Sequence, residues 1–252
     1  MLFSGCGGSG SFGTPINGSA YICSMQLLVS PSSLEEAERA LAADIIDVKR
    51  PAEGSLGANF PWVIRGIKGM TEKPVSAAIG DFDNHPGGAA LAALGAAAAG
   101  ADYIKCGLMV AGVDEARCII EGVVRAVKDD YPGRQVVFAA YSDYERLGTI
   151  SPFAVIPLAA EAGADVVMVD TGRKDGRSTF EFMDEVTLSR FVEAGHEAGL
   201  DVALAGSLVF DDLPALRRID PDIIGVRGMV CGGDRTAMLQ EHLVERAMAA
   251  IR

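Results

Sequence analysis

Residues 161–172 read EAGADVVMVDTG. A helical pattern runs out at Glu161 and Ala162, and Gly163 supplies the residue type that ends helices in the left-handed conformation. Asp165 then hands the chain to an apolar run, Val166 to Val169, which stops at the acidic Asp170. A short β-branched run bounded by such signals reads as a buried strand. The same grammar returns as AAGAD at 98–102 and EAGLD at 197–201. A helix that passes its chain directly to a strand, repeatedly, is the βα alternation of a parallel sheet.

Working outward from this segment, strands are expected at 26–30, 44–49, 74–79, 103–108, 135–141, 165–170, 201–206 and 223–228. Helical patterns lie between them, among them 33–42, 60–69, 113–128, 154–162, 184–198 and 238–251, with the alanine-rich 89–99 read as a packed helix. Eight alternating units in a chain of 252 residues predict an α/β fold, a single (β/α)8 TIM barrel. A doubly wound open sheet would carry a glycine fingerprint after its first strand, and LLVSPSSLEEA has none. The barrel is placed at 25–252 as the catalytic domain. Residues 1–24, rich in Gly and Ser and without periodicity, read as a disordered extension or a misplaced start.

Composition narrows the partners. A formal net charge of −12 argues against nucleic acid and anionic membrane surfaces, both polyanions. No apolar run is long enough to span a bilayer. Five scattered cysteines without a CxxC pair suit a reducing cytoplasm better than a disulfide framework. Three dispersed histidines without HxH or HExxH give no catalytic metal site. A phosphate-bearing small molecule would need a local basic pocket within this acidic exterior. The sequence leaves the oligomeric state open, with room for a homo-oligomer.

A barrel places its active site at the C-terminal strand ends. Those ends carry Asp47 and Lys49, then Lys105, then Asp170 with Lys174 just beyond. Residues two apart on a strand share a face, so Ile45, Asp47 and Lys49 point one way and Ile46 and Val48 the other. Desolvation and cationic neighbours lower a lysine's pKa and make it a nucleophile toward carbonyls. Three lysines and two aspartates at one mouth therefore suggest imine chemistry with proton transfer. An ordinary ion pair is the plainer reading of any one of them. A second constellation follows strands seven and eight, where barrels of this type often bind phosphate. Gly206, Ser207, Gly228, Gly232 and Gly233 let backbone approach an anion, and Arg227 and Arg235 add charge.

The stretches ADIIDVKRPAEGSLGANFPWVI, GADYIKCGL, DVVMVDTGRKDGRSTFEF, ALAGSL and DIIGVRGMVCGGDR resemble the (5-formylfuran-3-yl)methyl phosphate synthase family, from Met25 nearly to the C-terminus. The resemblance implies a TIM-barrel lyase without metal or organic cofactor. Such an enzyme condenses two D-glyceraldehyde 3-phosphate molecules into the furan phosphate used for methanofuran-type C1 carriers, with loss of phosphate and water. It implies Lys49 as the Schiff-base lysine, Lys105 as the proton-transferring lysine, and Asp47, Asp170 and Lys174 as further active-site residues. One triose would isomerise to a dihydroxyacetone-type imine whose enamine attacks the second aldehyde. Another class I aldolase or isomerase of sugar phosphates is the alternative, and a non-catalytic phosphate-binding barrel subunit a more distant one.

Overall fold

The computed structural model describes residues 25–252, so the expectation for 1–24 lies outside the described residues. Eight parallel strands close into a barrel in sequence order: β1 (Gln26–Val29), β2 (Ile45–Val48), β3 (Val75–Phe82), β4 (Tyr103–Leu108), β5 (Gln135–Tyr141), β6 (Val166–Asp170), β7 (Asp201–Leu204) and β8 (Ile223–Val226). The helices are α1 (Leu34–Ala40), α2 (Pro61–Lys68), α3 (Pro86–Ala98), α4 (Val113–Lys128), a short α5 (Tyr144–Leu147), α6 (Pro152–Ala162), α7 (Glu185–Glu197), α8 (Leu213–Ile219) and α9 (Glu241–Ile251). The TIM barrel expected from the alternation is the fold observed. The strand expected at 74–79 runs on to Phe82, and helix α2 presents Trp62 outward. That side chain is 63% exposed and stacks on Phe60.

Strand parity separates two apolar layers. Leu28, Ile45, Ala78, Val137, Ala139, Val166, Met168, Ala203 and Ile223 fill the lumen. Their alternate neighbours, including Ile46, Val48, Ile104, Phe138, Val167, Val202 and Ile224, pack outward against the helices. Small residues in the lumen layer, Ala78, Ala139 and Ala203, leave height for longer side chains above them.

The aspartate just before each even-numbered strand, which ends the GAD sequence at 102 and 165, has a structural task. Asp44, Asp102, Asp165 and Asp222 each precede an even-numbered strand. Their Oδ2 atoms accept an N–H from the first or second residue of the preceding odd strand: Leu27 at 2.9 Å, Val75 at 2.9 Å, Val136 at 2.7 Å and Val202 at 2.7 Å. Each also meets a basic residue from near a helix end: Arg252, Lys68, Lys128 and His196 respectively. Four copies of one latch therefore tie the strands together at the N-terminal face, where barrels store stability rather than catalysis.

One irregularity matters for function. The β3–β4 register shifts between Ala78 and Gly80, with Gly80 at φ +131°. Ala78 pairs with Lys105 but Asp81, not Gly80, pairs with Gly107, so the bulge turns Asp81 onto the lumen face. Replacing Asp165 with Ala removes an acceptor for Val136 N–H and the Lys128 partner. The expected loss is about 1–3 kcal/mol, read by denaturant melts, with turnover well below the melting temperature unchanged.

Candidate active site

Asp47 stands at the centre of the mouth, wholly buried. Its Oδ2 accepts Lys105 Nζ at 2.7 Å and Ser30 Oγ at 2.8 Å, and its Oδ1 accepts Ser76 Oγ at 2.7 Å. These partners come from β4, the end of β1, and β3, the last in register with Asp47 itself. Burial alone would raise this carboxyl, but the charges of Lys105 and Lys49 and the hydrogen bonds outweigh it and hold Asp47 below the usual carboxylate value. Asp170 repeats the arrangement across the barrel. Its Oδ1 accepts Lys174 Nζ at 2.5 Å and the Thr171 N–H at 2.7 Å, while Lys174 also donates to Thr171 Oγ1 at 3.0 Å. Burial raises this carboxyl too, and Lys174 and Lys49 more than offset it.

Two carboxylates thus hold two lysines, and the third is left over. Lys49 is 7% exposed, and its amine has no hydrogen-bond or ion-pair partner among the described residues. Burial pulls its pKa down to about 7, and the charges of Lys105 and Lys174 add to that, against the pull of Asp170 and Asp47. Near pH 7 a substantial share of the amine is therefore neutral, the state in which it attacks carbonyls, and that share grows as pH rises.

The loop after β2 roofs part of the mouth. Leu56 drops fully buried into the lumen layer, its N–H donating to Asp81 Oδ1 and Oδ2 at 3.2 and 3.1 Å. Ser55 Oγ donates to Thr171 O at 2.8 Å. Asp81 also accepts the Tyr141 hydroxyl. Burial, with the Asp81 charge beside it, raises the phenol well above its ordinary value, so Tyr141 stays protonated. A Cβ on Gly107 would meet both Tyr141 Oη and Asp81 Oδ1, at 2.3 and 2.5 Å, which explains the glycine. Asp81 and Tyr141 stand among the strand ends in the sequence, but their pairing, and the part of Leu56 in it, is not legible there; Gly80 beside the strand pattern is the available signal for the bulge.

What remains open is a cavity of about 560 Å³, within the range of small-molecule sites. It is lined by Lys49, Lys105, Asp170 and Lys174 and also by Gly206, Ser207, Gly228, Gly232 and Gly233, so the two constellations share one space. The β7 loop is shaped for an anion. Ser207 adopts φ +50°, and the N–H groups of Gly206, Ser207 and Leu208 have no acceptor among the described residues. Gly206, at φ +100°, is also required by packing, since a Cβ there would fall 2.2 Å from Thr179 Oγ1.

Arg227 lines the same cavity but is otherwise engaged. Its guanidinium makes a bidentate pair with Glu36, at 2.9 and 3.1 Å, and donates to Ser30 O and Arg235 O, both at 2.7 Å. The geometry makes it a strut joining β8 to α1 rather than the anion ligand expected from sequence. Arg235, by contrast, has a buried Nη2 with no partner.

The Lys49 pKa has a stability consequence. A lysine whose folded pKa lies below its unfolded value costs stability at low pH, and the deficit is removed as pH rises from about 7 toward 10.5. Lys49→Met is therefore expected to stabilise the fold by a few kcal/mol at pH 7, with the gain shrinking toward pH 10 in melts across that range.

Residues 27–248 match the family model described as 4-HFC-P synthase. The (5-formylfuran-3-yl)methyl phosphate synthase of Methanosarcina barkeri is 59% identical over 89% of this chain and 98% of its own. That of Archaeoglobus fulgidus is 51% identical over 90% of this chain and 99% of its own. Among solved structures, 3-hexulose-6-phosphate synthase from Salmonella typhimurium superposes with a TM-score of 0.60 at 21% identity, over 90% of this chain and 100% of its own, a likeness of fold. A family match across nearly the whole barrel, with relatives above half identity, means that this chain belongs to the 4-HFC-P synthase family.

Proposed function

We propose that the chain joins two molecules of glyceraldehyde 3-phosphate into (5-formylfuran-3-yl)methyl phosphate, releasing one phosphate and two waters. The observation that carries this reading is the unpaired, neutral Lys49 in a cavity that continues into the anion-shaped β7 loop. Family membership supplies the product.

The carbon skeleton of that product divides into two three-carbon chains in only one way. The triose that keeps its phosphate contributes the phosphomethyl carbon and two ring carbons, and is joined through its central carbon. The other contributes the formyl carbon and two ring carbons, and is joined through the carbon that carried its phosphate. The first triose is therefore best presented as a dihydroxyacetone-type ketone, condensed with Lys49 to an iminium at the central carbon with loss of one water. The second loses its C2 proton and then phosphate, which leaves an enol whose terminal carbon attacks the iminium. The imine carbon is thus the acceptor, rather than the source of an enamine as the sequence reading had it.

Lys49 then leaves as the free amine by elimination. The hydroxymethyl oxygen closes onto the remaining ketone, and loss of the second water gives the aromatic ring. The electron sink is the iminium. Lys105, held by Asp47 at 2.7 Å, faces the cavity and carries protons to and from substrate oxygen and carbon. Lys174, on Asp170, neutralises developing oxyanion or phosphate charge.

Incubation with glyceraldehyde 3-phosphate should yield furan-aldehyde absorbance and inorganic phosphate in equal amounts. A hexose bisphosphate instead would favour the aldolase alternative. Borohydride should trap an adduct on Lys49, and kcat/KM should rise with pH through about 7 as the amine loses its proton. An undiminished rate in Lys49→Ala would remove the imine from the reaction. In Lys105→Met, turnover should fall about 10²-fold or more while trapping persists. Without the neighbouring charge, Lys49 should deprotonate at higher pH, so the pH midpoint for trapping should move upward. An unmoved midpoint would contradict the coupling between the two amines.

A further inference from the structure

The proposed reaction brings two phosphates into one cavity, keeps one and expels the other. The cations that line the cavity can be sorted by partner. Lys105 is held by Asp47, Lys174 by Asp170 and Arg227 by Glu36, at 2.7, 2.5 and 2.9 Å. Lys49 is the neutral amine. Two cations are left, Arg235 and Arg246, and neither has a carboxylate partner among the described residues.

Their surroundings differ. Arg235 follows the glycine pair after β8 and reaches inward. Its Nη2 is buried without a hydrogen-bond partner, and burial lowers its pKa while the nearby Asp170 charge opposes that lowering. A guanidinium with a desolvated, unsatisfied N–H beside the reacting groups is a vacancy for an anion. Arg246 comes from α9 and lies at the outer rim, its guanidinium 4.0 Å from the centre of the Phe210 ring. Phe210 lies two residues beyond Leu208, the last of the three turn residues whose N–H groups have no acceptor among the described residues, and the turn, Phe210 and Arg246 line one cavity.

We propose that these arginines define two separate phosphate subsites: an outer one, built from Arg246 and the 206–208 turn, for the phosphate that is retained, and an inner one on Arg235 for the phosphate that leaves. This rests on the synthase reading and deepens it. An inner cation beside the lysines stabilises the leaving dianion as the carbon–oxygen bond breaks, whereas the outer subsite holds the other triose throughout. Arg227 belongs to neither.

Equilibrium dialysis with radiolabelled inorganic phosphate tests the assignment without turnover. The wild-type chain should bind two phosphates, and Arg235→Met and Arg246→Met one each. In Arg235→Met, inhibition by phosphate should weaken by about tenfold or more while affinity for the furan phosphate stays within about twofold. Arg246→Met should show the reverse. Arg235→Met removes an unsatisfied buried donor and should melt no lower than wild type, and Arg235→Lys should recover part of the inner binding. A single phosphate on the wild-type chain, or either variant losing both ligands together, would overturn the proposal. Two bound phosphates with no furan formed would keep the subsites and remove the synthase reading instead.

Discussion

The rest of the site depends on the buried pair between Lys105 and Asp47. Both side chains are almost wholly removed from water, so the pair persists only because Ser30 and Ser76 fill the remaining acceptor positions of the carboxylate. With that carboxylate bonded to Lys105, and Asp170 bonded to Lys174, neither makes an ion pair with Lys49, although both charges act on it from a distance. A third ammonium in so dry a place would be an uncompensated buried charge, and the cheaper state is the free amine. The lowered Lys49 pKa thus comes from burial first and from the neighbouring charges second, and not from a dedicated base.

The barrel supplies the conditions for that shift. Apolar side chains beneath the mouth, among them Ile45, Val137 and Met168, give a low-dielectric floor, and Leu56 plugs the β3–β5 side from above. The Asp81–Tyr141 pair fastens that plug, so the loop from 54 to 57 acts as fixed wall and not as open rim. The open cavity lies on the side bounded by β6, β7, β8 and the end of β1, where the amines and the anion-shaped turn meet. Chain charge and site charge are opposed: the molecule is strongly acidic overall, and the cations are concentrated where phosphate would enter.

Much of this was legible in the sequence, because period and punctuation are local. The βα alternation, the strand parity that aligns Asp47 with Lys49, and the glycines after β7 and β8 depend on residues a few positions apart. Three features depend on distant partners and were not legible. Arg227 looks like a phosphate ligand until Glu36, 191 residues away, takes its guanidinium. Asp81 falls on the outer face by simple alternation, and the bulge at Ala78–Gly80 reverses it. Arg246 sits within an amphipathic helix pattern, and only the closure of the barrel brings α9 to the rim beside Phe210. The Asp of the GAD signature was read as a strand start; its role as a latch appears only when an N–H from the start of the preceding strand lies above it.

The central claim is that Lys49 is neutral near physiological pH while Lys105 and Lys174 stay paired. Competitive acetylation of the native protein across pH 5–11, with site-resolved mass spectrometry, measures it directly. The account predicts that Lys49 gains reactivity with a midpoint near 7. A Lys49 midpoint near the ordinary lysine value of about 10.4 would contradict it.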